Sequence, residues 1–96
     1  MLNINTIKLA IERNQEKLAP YRIKTLGIFG SYARGSSRKN SDIDILVEFS
    51  QTPTMFKFMQ LERTLSQILG IKVDLVTRNA LKPLIKKNIL QEAVFL

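Results

Sequence analysis

A small domain of mixed α/β class, with helices packed on a mixed sheet of three or four strands, follows from three features of this sequence. Short apolar runs suited to strands, Ile23 to Phe29, Asp42 to Phe49 and Ile71 to Thr77, are interleaved with segments of helical spacing. A long amphipathic stretch, Gln51 to Gly70, joins the second run to the third, and such a crossover favours a parallel pair with a right-handed connection. The length of 96 residues fits a single domain, 1–96, with no internal repeat, linker or low-complexity segment.

The first element is a helix over residues 4 to 19. Ile4, Ile7, Leu9, Ala10, Ile11 and Leu18 recur there at largely helical spacing among Lys8, Glu12, Arg13, Glu16 and Lys17. Asn3 or Asn5 supplies its cap and Pro20 its end. The strand Ile23 to Phe29 closes at Gly30. The Gly30-Ser31 turn then opens a brief helix through Tyr32, Ala33 and Arg34, and Gly35 to Ser41 is a loop rich in Gly, Ser and Asn. That length rules out a tight hairpin between the first strand and the second, Asp42 to Phe49. In the next helix Thr52 is the expected cap and Pro53 the first helical residue, with Met55, Phe58, Met59, Leu61, Leu65, Ile68 and Leu69 facing the core until Gly70. After the strand Ile71 to Thr77, a last helix starts near Pro83 and turns Leu84, Ile85, Ile89, Leu90 and Ala93 inward.

Composition narrows the chemistry. With 45% hydrophobic and 24% charged residues the chain has the make-up of a globular protein. No run approaches the roughly 18 apolar residues of a membrane span, and Met1 to Asn5 lacks the basic and apolar regions of a signal peptide. A cytoplasmic protein without membrane contact is expected. Cysteine and histidine are absent, which removes disulfides, thiolate or imidazole zinc sites, cysteine nucleophiles and histidine bases. Any metal must be held by oxygen. The net charge of +7, from 15 Lys and Arg against 8 acids, suits a polyanionic partner: nucleic acid, a nucleotide or an acidic protein surface. Only Arg38-Lys39 and Lys86-Lys87 are adjacent, and no aromatic stripe runs between basic positions, which argues against a dedicated nucleic-acid surface.

Chemistry concentrates between Gly30 and Phe49. Asp42 and Asp44 alternate with Ile43, Ile45, Val47 and Phe49, so in a strand both carboxylates point to one face and make a site for a hard cation. The only other aspartate, Asp74, lies in the apolar run Val73-Asp74-Leu75-Val76, a costly place for a charge, and all three are expected to meet. Two magnesium ions about 3.5 to 4 Å apart, held this way, stabilise both the attacking and leaving oxygens of an in-line phosphoryl displacement. At the Gly30-Ser31 turn, backbone N–H groups opening a helix suit triphosphate oxygens; Gly30 permits close approach and the Ser31 hydroxyl adds a donor. Simpler roles stand beside these. Asp74 pairs with Lys72 or Arg78, Ser31 caps a helix, Arg34 is a surface arginine, and Ser41 caps the bend before Asp42. Glu48 shares the parity of the aspartates and reads as solvated; Tyr32 reads as packing.

Gly-Ser-Tyr-Ala-Arg-Gly at 30–35, followed by Ser-Asp-Ile-Asp-Ile-Leu-Val-Glu-Phe at 41–49 and by Asp74, resembles the signature of the polymerase-beta-type nucleotidyltransferase superfamily. Within it the chain looks like the minimal nucleotidyltransferases, the antitoxin halves of HEPN/MNT toxin–antitoxin pairs. The likeness is dense from Gly30 to Phe49 and agrees in length over nearly the whole chain. It implies a nucleotidyltransferase fold and a protein adenylyltransferase activity of a type VII-like pair. Asp42, Asp44 and Asp74 would be catalytic and would hold two Mg2+ ions, with Asp74 also taking the proton from the attacking hydroxyl. Gly30, Ser31, Arg34 and Ser41 would bind the nucleotide and its phosphates. ATP would be the substrate, and AMP would pass to a tyrosine hydroxyl of the cognate HEPN ribonuclease toxin, silencing it as pyrophosphate leaves, sometimes through several successive AMP units. Two other readings stand: neutralisation of the toxin by occlusion without catalysis, and a nucleic-acid or operator-binding module using the +7 charge.

Overall fold

The computed structural model describes residues 2–38 and 41–96, so Lys39 and Asn40 of the expected loop lie outside the described residues. Helix α1 (Ile4–Arg13) starts at Asn3. The Asn3 side chain accepts the Thr6 N–H at 2.9 Å and Thr6 Oγ1 accepts the Asn3 N–H at 2.8 Å, so two otherwise free donors of the helix start are satisfied together. The expected single helix to Pro20 breaks at Asn14. Its side-chain amide donates to the Ala10 carbonyl at 2.7 Å, competing with the helical ladder, and α2 (Gln15–Leu18) and a 3-10 turn at Ala19–Tyr21 follow.

The remaining order is β1 (Ile23–Phe29), α3 (Ser31–Arg34), β2 (Ile43–Phe49), α4 (Met55–Leu69), β3 (Val73–Thr77), a 3-10 turn at Arg78–Ala80, α5 (Pro83–Glu92) and β4 (Val94–Phe95). The strands form one sheet in the order β3-β2-β1-β4. β2 and β3 are parallel, as the α4 crossover predicts, and β1 is antiparallel to both β2 and β4. Two residues of β4 are too few to leave a period in the sequence; its pairing is extended by the Leu96 N–H donating to the Leu26 carbonyl at 2.9 Å. Gly27 makes this return possible, because a Cβ there would press against the Phe95 ring at 3.0 Å.

One face of the sheet carries the core. Leu26 and Ile28 from β1, Ile43, Ile45 and Val47 from β2, and Val73 and Leu75 from β3 are buried there with Ile7 and Ile11 of α1 and Leu61, Leu65 and Leu69 of α4. α4 also closes the outer edge of β3. Ser66 Oγ accepts the Val73 N–H and Glu62 Oε2 accepts the Leu75 N–H, both at 2.9 Å, so donors that would otherwise face outward are paired.

Two helix assignments need correction. Thr54, not Thr52, caps α4: its hydroxyl accepts the Lys57 N–H at 3.1 Å, three residues on, which leaves Pro53 just outside the helix. The start of α4 turns Met55 and Met59 outward, 73% and 59% exposed rather than in the core, while Phe58 packs partly against it. The expected buried side of α5 is also absent. Leu84 and Ile85 are exposed, Ile89, Leu90 and Ala93 are half-buried, and no residue of α5 is buried, because α1 and α4 already cover the core face.

Candidate active site

The second face of the sheet carries the carboxylates. Cross-strand partners share a face, and the register pairs Phe29 with Asp44, Gly27 with Leu46 and Thr25 with Glu48 across β1 and β2. Across β2 and β3 it pairs Asp44 with Asp74 directly. Both carboxylates therefore stand side by side where their strands begin, turned away from the core. Asp42, two residues before Asp44 and just ahead of β2, is exposed, and Lys72 Nζ lies 4.0 Å from its Oδ2. Ile43, between them, anchors this start by donating its N–H to the Lys72 carbonyl at 3.0 Å.

Gly30 brings the turn under Asp44. Its φ of +75° falls in the region that favours glycine, and a Cβ at this position would collide with the Asp44 carboxylate. The Asp44 carboxyl is held above the usual carboxylate range, first by burial and then by the negative charges of Asp74 and Asp42; Arg34 opposes the shift and Glu92 adds to it. The fold thus gathers Asp42, Asp44, Asp74, Arg34 and Glu92 into one electrostatic neighbourhood. Among the described residues Asp74 makes no ion pair with Lys72 or Arg78, which instead approach Asp42 and Glu48 at 4.0 Å each.

The chemistry of this donor set can be tested against a metal. Among the described residues no three acidic side chains converge closely enough to clasp an ion unaided. Magnesium asks for less, since it is commonly held by one or two carboxylates together with substrate phosphates and water. Neighbouring Asp44 and Asp74, the nearby Asp42 and their shared negative field fit that requirement.

At the Gly30-Ser31 turn, Glu92 of α5 takes the central place. One oxygen, Oε1, accepts the Gly30 N–H at 2.8 Å and a bond from Arg34 Nη1 at 2.9 Å. Ser31 is the first residue of α3, half-buried, and Gly30 rather than Ser31 stands at that helix's cap position. Ser41 closes the loop: its Oγ accepts the Arg38 N–H at 2.8 Å and its own N–H donates to the Arg38 carbonyl at 3.0 Å. Its hydroxyl hydrogen is not used in that bond. Tyr32 is buried packing, with its hydroxyl 3.5 Å from the Ser41 carbonyl. Glu48 is half-buried rather than fully solvated, held by Arg78 and by the Thr25 hydroxyl at 3.4 Å.

Sequence reasoning passes over Glu92, because a lone glutamate in a last helical turn carries no pattern. Glu62 and Ser66 do leave a faint signal, an i, i+4 polar pair beside the buried Leu61, Leu65 and Leu69.

Comparisons with known proteins identify the family and match the fold. The family model described as a nucleotidyltransferase domain matches residues 7–96. The protein adenylyltransferase MntA of Thermococcus cleftensis is 38% identical over 96 residues, covering 99% of this chain and 97% of its own. A solved structure predicted to be a minimal nucleotidyltransferase superposes with a TM-score of 0.83 at 32% identity, over 99% of this chain and 97% of that one. A toxin–antitoxin crystal structure with AMP-PNP superposes with a TM-score of 0.72 at 26% identity, over 98% of this chain and 72% of that one.

Proposed function

This chain belongs to the nucleotidyltransferase domain family, and from that premise we propose that it is the antitoxin of a toxin–antitoxin pair that transfers AMP from ATP to a tyrosine hydroxyl of its HEPN toxin. The observation that carries the reading is the register that sets Asp44 beside Asp74, with Asp44 lying over the Gly30 turn. Carboxylates and phosphate-binding donors then face one reacting centre. A relative named protein adenylyltransferase MntA and a toxin–antitoxin relative with AMP-PNP support the class of reaction and of partner.

Asp42, Asp44 and Asp74 would hold magnesium, which when bound neutralises charge building on the phosphate oxygens and on the departing pyrophosphate. The chain's own groups supply the rest. The Gly30 N–H, the Ser31 hydroxyl and the Arg34 guanidinium orient the phosphates, and the Ser41 hydroxyl adds a donor at the rim. Asp74, beside Asp44 on the open face, accepts the proton of the attacking tyrosine hydroxyl. The phosphoanhydride bond between the α- and β-phosphates breaks, and a phosphodiester to the tyrosine oxygen forms. An acceptor carried by a second protein can reach this centre because the carboxylates stand on an uncovered part of the sheet.

Label position tests the chemistry. With magnesium, ATP labelled at the α-phosphate transfers label to the partner and ATP labelled at the γ-phosphate does not. Chelation by EDTA abolishes transfer, and the change Asp44→Asn lowers it on the order of a hundredfold or more. Label arriving from the γ-position, or transfer undiminished by both treatments, contradicts the reading. Occlusion without catalysis draws on one observation, the apolar surface of Met55, Phe56 and Met59 on α4, 59 to 73% exposed. Neutralisation undiminished in Asp42→Asn plus Asp44→Asn would select it.

A further inference from the structure

The Glu92 carboxylate is seated on the donors of the Gly30 turn. Its Oε1 collects a backbone donor, Gly30 N–H, and a guanidinium donor, Arg34 Nη1, from opposite ends of the α3 turn. A backbone N–H and an arginine converging on one anionic oxygen is how proteins hold phosphates. Here the anion is part of the chain itself. Glu92 closes α5, whose other residues are nowhere buried and which is followed directly by the two-residue strand β4. The contact therefore ties a lightly packed C-terminal element to the phosphate turn. It also brings a negative charge close to Asp44, opposing the Arg34 charge there.

We infer that Glu92 is a tethered competitor for the nucleotide's phosphate group, seated on Gly30 N–H and Arg34 until the triphosphate displaces it. The inference rests on the nucleotide-binding reading of this turn. It assigns to Glu92 a part in setting nucleotide affinity, distinct from the carboxylates that face the reacting centre. Displacement leaves Arg34 and the Gly30 N–H to the phosphates, removes one negative charge from beside Asp44, and releases the last turn of α5. Occupied and free nucleotide sites thus differ in the position of the C-terminal segment.

Two substitutions separate competition from bulk charge. Glu92→Gln keeps an oxygen that can accept from Gly30 and Arg34 but removes the anion. Glu92→Asp keeps the charge but is one methylene shorter and loses its reach to the Gly30 N–H. The probes are ATP with magnesium and, separately, sodium tripolyphosphate without metal, each titrated while the Gly30 amide resonance and the dissociation constant are followed. Both variants should bind both probes more tightly than the wild type, by about tenfold for Glu92→Gln and about threefold for Glu92→Asp, since a charge-assisted contact no longer has to be broken. The Gly30 amide should shift in all three proteins as the probe binds.

ATP bound and transferred normally, with affinities unchanged or weakened in both variants or with a Gly30 amide that does not respond, overturns the inference and leaves the nucleotidyltransferase reading intact. Tightening in Glu92→Gln alone reduces the role of Glu92 to its charge and overturns displacement. No binding or transfer of ATP in any of the proteins, while tripolyphosphate still binds the variants more tightly, overturns the nucleotidyltransferase reading and upholds displacement. No response to either probe overturns both.

Discussion

Gly30 stands where two demands meet, a positive φ of 75° and the close approach of the Asp44 carboxylate. Gly30→Ala meets neither, so it should cost about 2 kcal/mol of stability and abolish transfer, measured by chemical denaturation and by partner labelling. Asp44 makes the opposite trade. Its carboxyl binds a proton more tightly in the folded chain than in the unfolded one, through burial and the charges of Asp74 and Asp42. Its contribution to metal-free stability is therefore greatest at low pH and falls as pH rises through the raised pKa, above the ordinary carboxylate range. Magnesium competes with that proton, so in its presence activity should rise with pH below this metal-free window, as the ionised carboxylate is drawn onto the metal. Asp44→Asn should raise the metal-free Tm at neutral pH, remove the Tm gain given by magnesium, and lower transfer on the order of a hundredfold or more. A lower metal-free Tm would show that Asp44 is not strained by its neighbours. Asp44 was legible in the sequence because strand parity sets it on the face opposite Ile43 and Ile45, whereas Asp42, read as the start of the strand, lies just ahead of β2. Glu92 was not, because its significance lies in contacts across 62 and 58 residues of chain, to Gly30 and Arg34.

At the scale of elements, α4 does more than bury Leu61, Leu65 and Leu69. Through Glu62 and Ser66 it pairs the outward N–H groups of Leu75 and Val73 on either side of Asp74, and so fixes the strand that presents this carboxylate. Glu62→Ala should cost about 1 to 2 kcal/mol by leaving a half-buried N–H unpaired, and should lower kcat more than it raises the KM for ATP. Glu62→Gln, whose amide oxygen can still accept, should recover most of both. A Glu62→Ala protein as stable and active as the wild type would show that the edge of β3 needs no such support. The parallel pairing of β2 and β3 was legible from the length and periodicity of the crossover between them. The cap of α4 was misplaced by two residues because Thr52 and Thr54 flank the same proline, and only geometry shows which hydroxyl reaches Lys57. The exposed side of α5 escaped for a related reason. Helical spacing identifies an apolar face, but whether a core remains for it depends on what the other helices have covered.

Across the whole molecule, the core and the site use opposite faces of one sheet, and the apolar surface left over belongs to neither. Met55, Phe56 and Met59 at the start of α4 are suited to a partner protein. Phe56→Ser with Met59→Ser should leave stability within about 0.5 kcal/mol of the wild type, yet weaken capture of the proposed HEPN partner in a titration. A complex of undiminished affinity would place the partner elsewhere. Composition set useful limits at this scale, since the absence of cysteine and histidine left oxygen as the one hard-metal donor class. It could not indicate that Asp44 is half-buried while Asp42 and Asp74 are exposed, or that Glu92 rests on the Gly30 turn. The central claim is that Asp42, Asp44 and Asp74 transfer AMP to a partner protein. Its most direct test is the intact mass of the cognate HEPN partner after incubation with ATP and magnesium, with the wild-type chain and with Asp42→Asn plus Asp44→Asn. The account predicts a gain of one or more AMP units with the wild type and none with the variant or in EDTA. An unchanged mass beside a stable complex and a neutralised toxin would contradict it.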